Sequence, residues 1–178
     1  YTGVWGPRMQ TLSGELADGV IIMGPERPEI IDMKANRIRS AAAAAGRAPG
    51  SVKIVAQVTC AYADDPSEII EKHKTLALHC MQRLGYEGDY APQYRDLFDK
   101  IRASVPLIAM PHGESPGTEN IPDQFVKDTI LVGTEAECVQ RLREILALEP
   151  DEVTFTVGDG EVEDVEKVVN LFTKAISP

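Results

Sequence analysis

Apolar and polar positions along the chain fall into two rhythms. Val52, Ile54, Ala56 and Val58 alternate with Lys53, Val55, Gln57 and Thr59, the period of a strand running from Val52 to Cys60. Tyr1–Trp5, Val20–Met23 and Glu152–Val157 are shorter runs of strand character bounded by glycine, proline or aspartate. Between them the period lengthens to that of a helix. From Pro7 to Ala17 the repeat groups Met9, Leu12 and Leu16 in one stripe, predicting a helix that packs on a sheet through them. A helix from about Pro28 to Ala45 carries Ile30, Ile31, Met33, Ile38, Ala41 and Ala42 inward, with Gly46 as its left-handed cap. Asp64-Asp65-Pro66-Ser67 opens another that runs to Leu84, its inner face formed by Ile69, Ile70, Leu76, Ala77, Cys80, Met81 and Leu84. From Gly85 to Ile130 the pattern weakens to one short amphipathic helix, Gln93 to Ala103, among prolines and glycines. Thr134 and Glu137 then form a capping box opening a helix through Val139, Leu142, Ile145 and Leu146. The closing helix presents Val162, Val165, Val168, Val169, Phe172 and Ile176.

The order strand, glycine turn, helix, strand at the start is a βαβ unit, which implies parallel strands and a ligand at their carboxyl ends. Four strand-helix units follow in series, at Tyr1 to Ala17, Val20 to Ala45, Val52 to Leu84 and Glu152 to Ile176. Four parallel strands are half of a closed (β/α)8 barrel of the TIM-barrel type. Such a half-barrel has two unpaired edges and a bare inner face, so it is expected to pair with a missing half or to self-associate as a homo-oligomer. The rival fold is a small doubly wound α/β domain, which needs no partner.

Composition narrows the partners. The chain has 178 residues, 28 acidic against 18 basic, and a net charge of -10. That balance argues against nucleic acid and against an anionic membrane surface. No apolar run reaches the length of a membrane span and nothing at the start reads as a signal peptide. Cys60, Cys80 and Cys138 are too few and too far apart for a disulfide framework or a zinc pattern. A single cytoplasmic domain is expected, with no metal.

Two helix starts are candidates for binding phosphate. At Gly6-Pro7-Arg8-Met9, glycine permits close approach, Pro7 sits where its missing N–H is harmless, and Arg8 adds positive charge. At Gly158-Asp159-Gly160-Glu161, the acidic residues repel a dianion, so the first is preferred. Gln57, Thr59 and Tyr62 stand where a barrel strand opens toward the mouth, in pocket-lining or purely structural roles. His73 and Cys80 lie two turns apart without the further ligands a metal needs. His79 carries no pairing signal. His112, in Met110-Pro-His-Gly-Glu114, is a loop imidazole without a patterned partner.

Val4-Trp5-Gly6-Pro7-Arg8-Met9 followed by Ser13-Gly14-Glu15-Leu16-Ala17-Asp18-Gly19-Val20-Ile21-Ile22 resembles the fifth strand and following helix of the luciferase-like monooxygenase superfamily. The likeness is greatest to the branch that uses the deazaflavin coenzyme F-420, including methylenetetrahydromethanopterin reductase-like enzymes. Ala41–Pro49, around Gly46-Arg47, and Val132–Val139 resemble later stretches of the same family. The resemblance implies an eight-stranded barrel of which this chain is the second half, and the missing initiator Met fits a chain cut from something longer. It also implies an oxidoreductase that transfers hydride between coenzyme F-420 (8-hydroxy-5-deazaflavin) and a small organic substrate. FMN with monooxygenase chemistry is the alternative, and a half-barrel kept for assembly without catalysis is another. The family's coenzyme contacts carry over to Val4, Trp5, Gly6, Pro7, Arg8 and Met9, where Trp5 departs from the usual small residue. The variable segment from Tyr86 to Ile130 would shape the substrate pocket. The family's catalytic residues lie in its first half, so here they are unknown.

Overall fold

A computed structural model of the chain describes residues 1–84, 94–104, 117–157 and 162–177. Its strands β1 (Thr2–Val4), β2 (Gly19–Ile22), β3 (Lys53–Tyr62), β4 (Leu131–Gly133) and β5 (Glu152–Val157) form one parallel sheet. The helices are α1 (Pro7–Leu16), α2 (Pro28–Ala44), α3 (Ser67–Leu84), α4 (Arg95–Ser104), α5 (Asp123–Thr129), α6 (Glu135–Leu146) and α7 (Val162–Ile176), with a 3-10 turn at Thr118–Asn120. Register fixes the sheet order. Val55 and Ala56 face β2 on one edge and β5 on the other, while Cys60 faces both β4 and β5. Strands β2 and β4 therefore lie end to end along one edge of β3, and the main order is β1, β2, β3, β5. Tyr1, just before β1, rests its ring over Gly19 and donates to Glu152 at the start of β5, 3.1 Å away.

Helices α2, α6 and α7 cover one face of the sheet, while Ala61 of β3 and Val132 of β4, on the other face by alternation, pack with α3, α4 and α5. Val4, Val20, Ile22, Ile54, Ala56, Val58 and Cys60 share a single core with side chains of α2, α6 and α7. The opposite face, Gly3, Ile21, Val55, Gln57, Thr59, Thr154 and Thr156 by strand alternation, becomes open and polar toward β5. The parallel sheet with its alternating helices is an α/β fold of half-barrel type, as expected.

Local chemistry explains where elements stop. Gly46, at φ +75°, ends α2 in a Schellman motif, with Arg47 N–H donating to Ala42 O and Gly46 N–H to Ala43 O, both at 3.0 Å. The Arg47 guanidinium then donates to Gly14 O and Ala17 O at 2.8 and 2.7 Å, capping α1 from the neighbouring helix. The capping box of α6 forms as expected.

Three expectations are corrected. The first concerns α1, which does not bury Met9, Leu12 and Leu16; they are 48%, 45% and 74% exposed, and its inward residues are Gln10, Ser13 and Gly14. Periodicity groups residues on a face without saying which face turns in. A Cβ on Gly14 would stand 2.4 Å from Ile38 O, so the small-residue side is the one that lets α1 close on α2. In α7, similarly, Val168, Leu171 and Ala175 are buried, Phe172 is partly so, and Val162, Val165, Val169 and Ile176 are exposed.

The third correction is topological. Helix α3 does not complete the third barrel unit; α6 does, packing Cys138, Leu142 and Ile145 into the main core. Ile70, Ala77 and Leu78 of α3 join Phe98, Ile121, Phe125, Val126, Ile130 and Val132 in a second, smaller core. Tyr94 donates to Asp128 at 2.9 Å and meets the Phe125 ring edge-on. The lobe so formed leaves the sheet after β3 and rejoins it at β4, where Ala63 N–H donates to Gly133 O at 3.3 Å.

Candidate functional site

The carboxyl ends of β1 and β2 meet the last turns of α3. Met23 N–H donates to Val4 O at 3.3 Å, extending the β1–β2 ladder, and the Met23 sulfur lies 3.3 Å from where a Gly3 Cβ would be. Above it, the Trp5 indole packs on Gly24, whose absent Cβ would meet it at 3.3 Å. His79 meets the Trp5 ring edge-on, centroids 6.3 Å apart, and Cys80 closes on the same glycine. Residues 77–80 are buried on every side of the helix, so α3 lies across this end of the sheet rather than along its outside.

Beside that covered corner the Gly6 turn is open. Gly6 is extended (φ -89°, ψ 160°), and a Cβ built on it would meet nothing within 4 Å. Pro7 begins α1, no side chain caps the helix, and its first turn carries no carboxylate. Arg8 and Met9 are exposed. Such a start offers backbone N–H groups and a guanidinium to an anion. Gln10 stiffens the turn from below, donating to Trp5 O at 2.6 Å and accepting from Arg37 at 2.5 Å. Of the six residues expected here, Trp5, Gly6, Pro7, Arg8 and Met9 surround the turn, whereas the Val4 side chain points into the core and only its backbone reaches the strand end.

Two buried ionisable side chains hold the neighbouring loop. The Lys34 ammonium, fully buried, donates to Met23 O at 3.1 Å and Gly24 O at 2.5 Å. Glu26 is also buried, and its carboxylate accepts from Thr59 N–H at 2.5 Å and Leu131 N–H at 2.8 Å. It fills the gap along β3 where β2 has ended and β4 has not begun. Burial pushes the Glu26 carboxyl up to about 8, against the pull of those two N–H groups and the nearby Arg141. Arg141 donates to Glu26 O at 3.2 Å and to Lys127 O, fastening the same loop from α6.

Other sequence candidates lie elsewhere. Gln57 donates to Thr156 Oγ1 across the open face at 3.0 Å, and Thr59 is half-buried there. Tyr62 points the other way, toward α7, donating to Lys167 O at 3.3 Å. A ring nitrogen of His73 contacts Ile69 O, and among the described residues no cluster of His, Cys, Asp or Glu can hold a metal. His112 and Gly158–Glu161 fall outside the described residues. Also among the described residues, no helix is long and apolar enough to cross a membrane. Sequence reasoning passed over Lys34 and Glu26, and gave His79 no role. Lys34 had a signal, since it sits on the buried repeat of Ile30, Ile31 and Ile38; Glu26, between two prolines, had none.

The profile of the family described as luciferase-like monooxygenase matches residues 1–151. The chain belongs to this family. Luciferase-like folds are also what it superposes on. The coenzyme F420 dependent tetrahydromethanopterin reductase of Methanopyrus kandleri matches 93% of the chain at 19% identity, with a TM-score of 0.62. An F420-dependent secondary alcohol dehydrogenase, solved with an F420-acetone adduct, matches 98% at 12% identity and a TM-score of 0.65. DmoA of Hyphomicrobium sulfonivorans matches 99% at 20% identity and a TM-score of 0.50. The chain spans 47%, 48% and 41% of these three, about half of each or less.

Proposed function

We propose that this chain forms the coenzyme-phosphate side of an F-420-dependent oxidoreductase acting on a small organic substrate. The observation that carries the proposal is the open Gly6 turn: extended glycine, uncapped helix start, exposed Arg8 and no first-turn carboxylate. That donor set fits a phosphate-bearing coenzyme. The coenzyme, when bound, supplies hydride chemistry at its deazaflavin ring. The residues of this chain bind and orient: Arg8 and the N–H groups of Arg8 and Met9 hold the phosphate, while Trp5, braced by Gly24 and His79, walls one side. The helical lobe excludes water from above and borders the substrate. Two of the structural relatives named above use F420, which supports this coenzyme. FMN with monooxygenase chemistry is the second reading, supported by the family's own description. The catalytic groups would come from the β/α units that complete the barrel.

Completion is itself part of the proposal. The exposed apolar stripes of α1 and α7 flank the two free edges, β1 and β5, which suits docking of four more β/α units or of a second copy. A cytoplasmic location accords with it. Fluorescence titration with F-420 and with FMN at fixed ionic strength tests the coenzyme. Binding of F-420 that weakens about tenfold in Arg8→Ala is the expected result. Unchanged affinity in that variant would remove the turn from the site. If neither coenzyme bound to the completed protein, the non-catalytic assembly reading would take its place.

A further inference from the structure

Cys60 and Cys138 meet outside the coenzyme mouth. Cys60 lies on the helix-facing side of β3, opposite Leu131 of β4 in register, and Cys138 sits in the first turns of α6 just above. The Cys138 thiol donates to Leu131 O at 3.8 Å and Ala61 O at 4.0 Å, so it hangs over the β3–β4 seam at the level of Cys60, whose partner in register is Leu131 and whose neighbour is Ala61. Both are buried and neither is disulfide-bonded. A cavity of about 250 Å³, partly open, reaches Cys138 between α5, β4 and α6, with Lys127, Asp128, Glu137 and Arg141 among its lining. Cys138 is only 1% exposed, and among the described residues this cavity gives it a route to solvent.

We propose that Cys60 and Cys138 are an oxidisable pair: hydrogen peroxide entering the cavity oxidises Cys138, and Cys60 resolves it to an intrachain disulfide. The asymmetry of the pair favours this order. Cys138, with Arg141, lines the cavity while Cys60 does not, and the proximity of Cys60 together with Arg141 lowers the Cys138 thiol whereas that of Cys138 and burial push Cys60 up. In the first step the Cys138 sulfur attacks one peroxide oxygen and the O–O bond breaks. Cys138 becomes a sulfenic acid, and the other oxygen leaves as water with the proton Cys138 gave up. In the second, the Cys60 sulfur attacks that of Cys138, the S–O bond breaks, and the hydroxyl leaves as water with the Cys60 proton. Two thiols lose two electrons and one peroxide becomes two waters. The bond would tie β3 to α6 and close the helical lobe into a covalent loop.

The test is hydrogen peroxide treatment of the folded full chain, followed by intact mass and peptide mapping without reductant. The expected product is lighter by about 2 mass units, carries a Cys60–Cys138 linked peptide, and returns to two free thiols with dithiothreitol. Cys60→Ser should stop at a sulfenic acid on Cys138 that dimedone traps, and Cys138→Ser should form no link. If those variants fail to fold, the wild-type map alone decides. Over-oxidation of Cys138 without a link, a link to Cys80 instead, or two thiols untouched while exposed methionines oxidise would each overturn the proposal.

Discussion

The middle of the sheet and its two flanks are built on different terms. In the middle, β2 and β3 are covered by α2 and α6, and even the breaks in the ladder are filled: Glu26 bridges β3 to β4, and Lys34 satisfies the carbonyls after β2. On the flanks, α1 and α7 turn small or few residues inward and leave apolar side chains outside, Leu16 at 74% and Val162 at 73%. Polar groups buried at the centre are paired because nothing else can satisfy them. The apolar surface at the edges has no such internal answer, which is the signature of a surface meant to be covered.

If this contrast is right, the centre should break hardest. Glu26→Ala leaves the N–H groups of Thr59 and Leu131 buried without acceptors, and a loss of about 4 kcal/mol in urea unfolding is expected. A loss within the range of an ordinary surface substitution would show that the bridge is replaceable by water. Gly14→Ala comes next. Although alanine favours a helix, its Cβ would collide with Ile38 O, and about 2 kcal/mol should be lost; a gain would mean that α1 is free to move away from α2.

The same carboxyl predicts a pH dependence. Its folded value, about 8, lies above the ordinary carboxylate range, so between these limits the folded state holds a proton that the unfolded state has released. Its contribution is full below about pH 4.5 and fades as pH rises through 8, with a slope of at most about 1.4 kcal/mol per pH unit. Unfolding followed from pH 5 to 9 should show this fall, and Glu26→Gln should flatten it. A wild-type slope of the opposite sign would mean that the two N–H bonds outweigh burial. The smallest change in stability belongs to the flank. Leu12→Lys with Leu16→Lys should shift unfolding by less than about 0.5 kcal/mol while reducing self-association or docking in sedimentation. A large stability loss with no change in association would place those leucines in the fold rather than in an interface.

Much of the architecture was legible because it rests on local rules. The alternation of β3, the Gly46 cap and the Thr134–Glu137 box each specify themselves within a few residues. The helix faces were harder, since Met9, Leu12 and Leu16 form a true stripe and nothing local says that Gly14 needs the inner side more. The third unit was misread for a related reason. Helix α3 follows a strand as a barrel helix should, and only the long-range contacts of Ile70, Ala77 and Leu78 assign it to the lobe. At the mouth, Gly6–Met9 was visible as a turn with a cation, whereas Trp5 meeting His79 required chain segments over seventy residues apart to be brought together.

The lobe begins and ends at one seam, where Ala63 is hydrogen-bonded to Gly133. An inserted segment whose two ends already touch makes little demand on the scaffold that carries it. Descendants of this chain can therefore trade one lobe for another while the strands beneath are inherited unchanged.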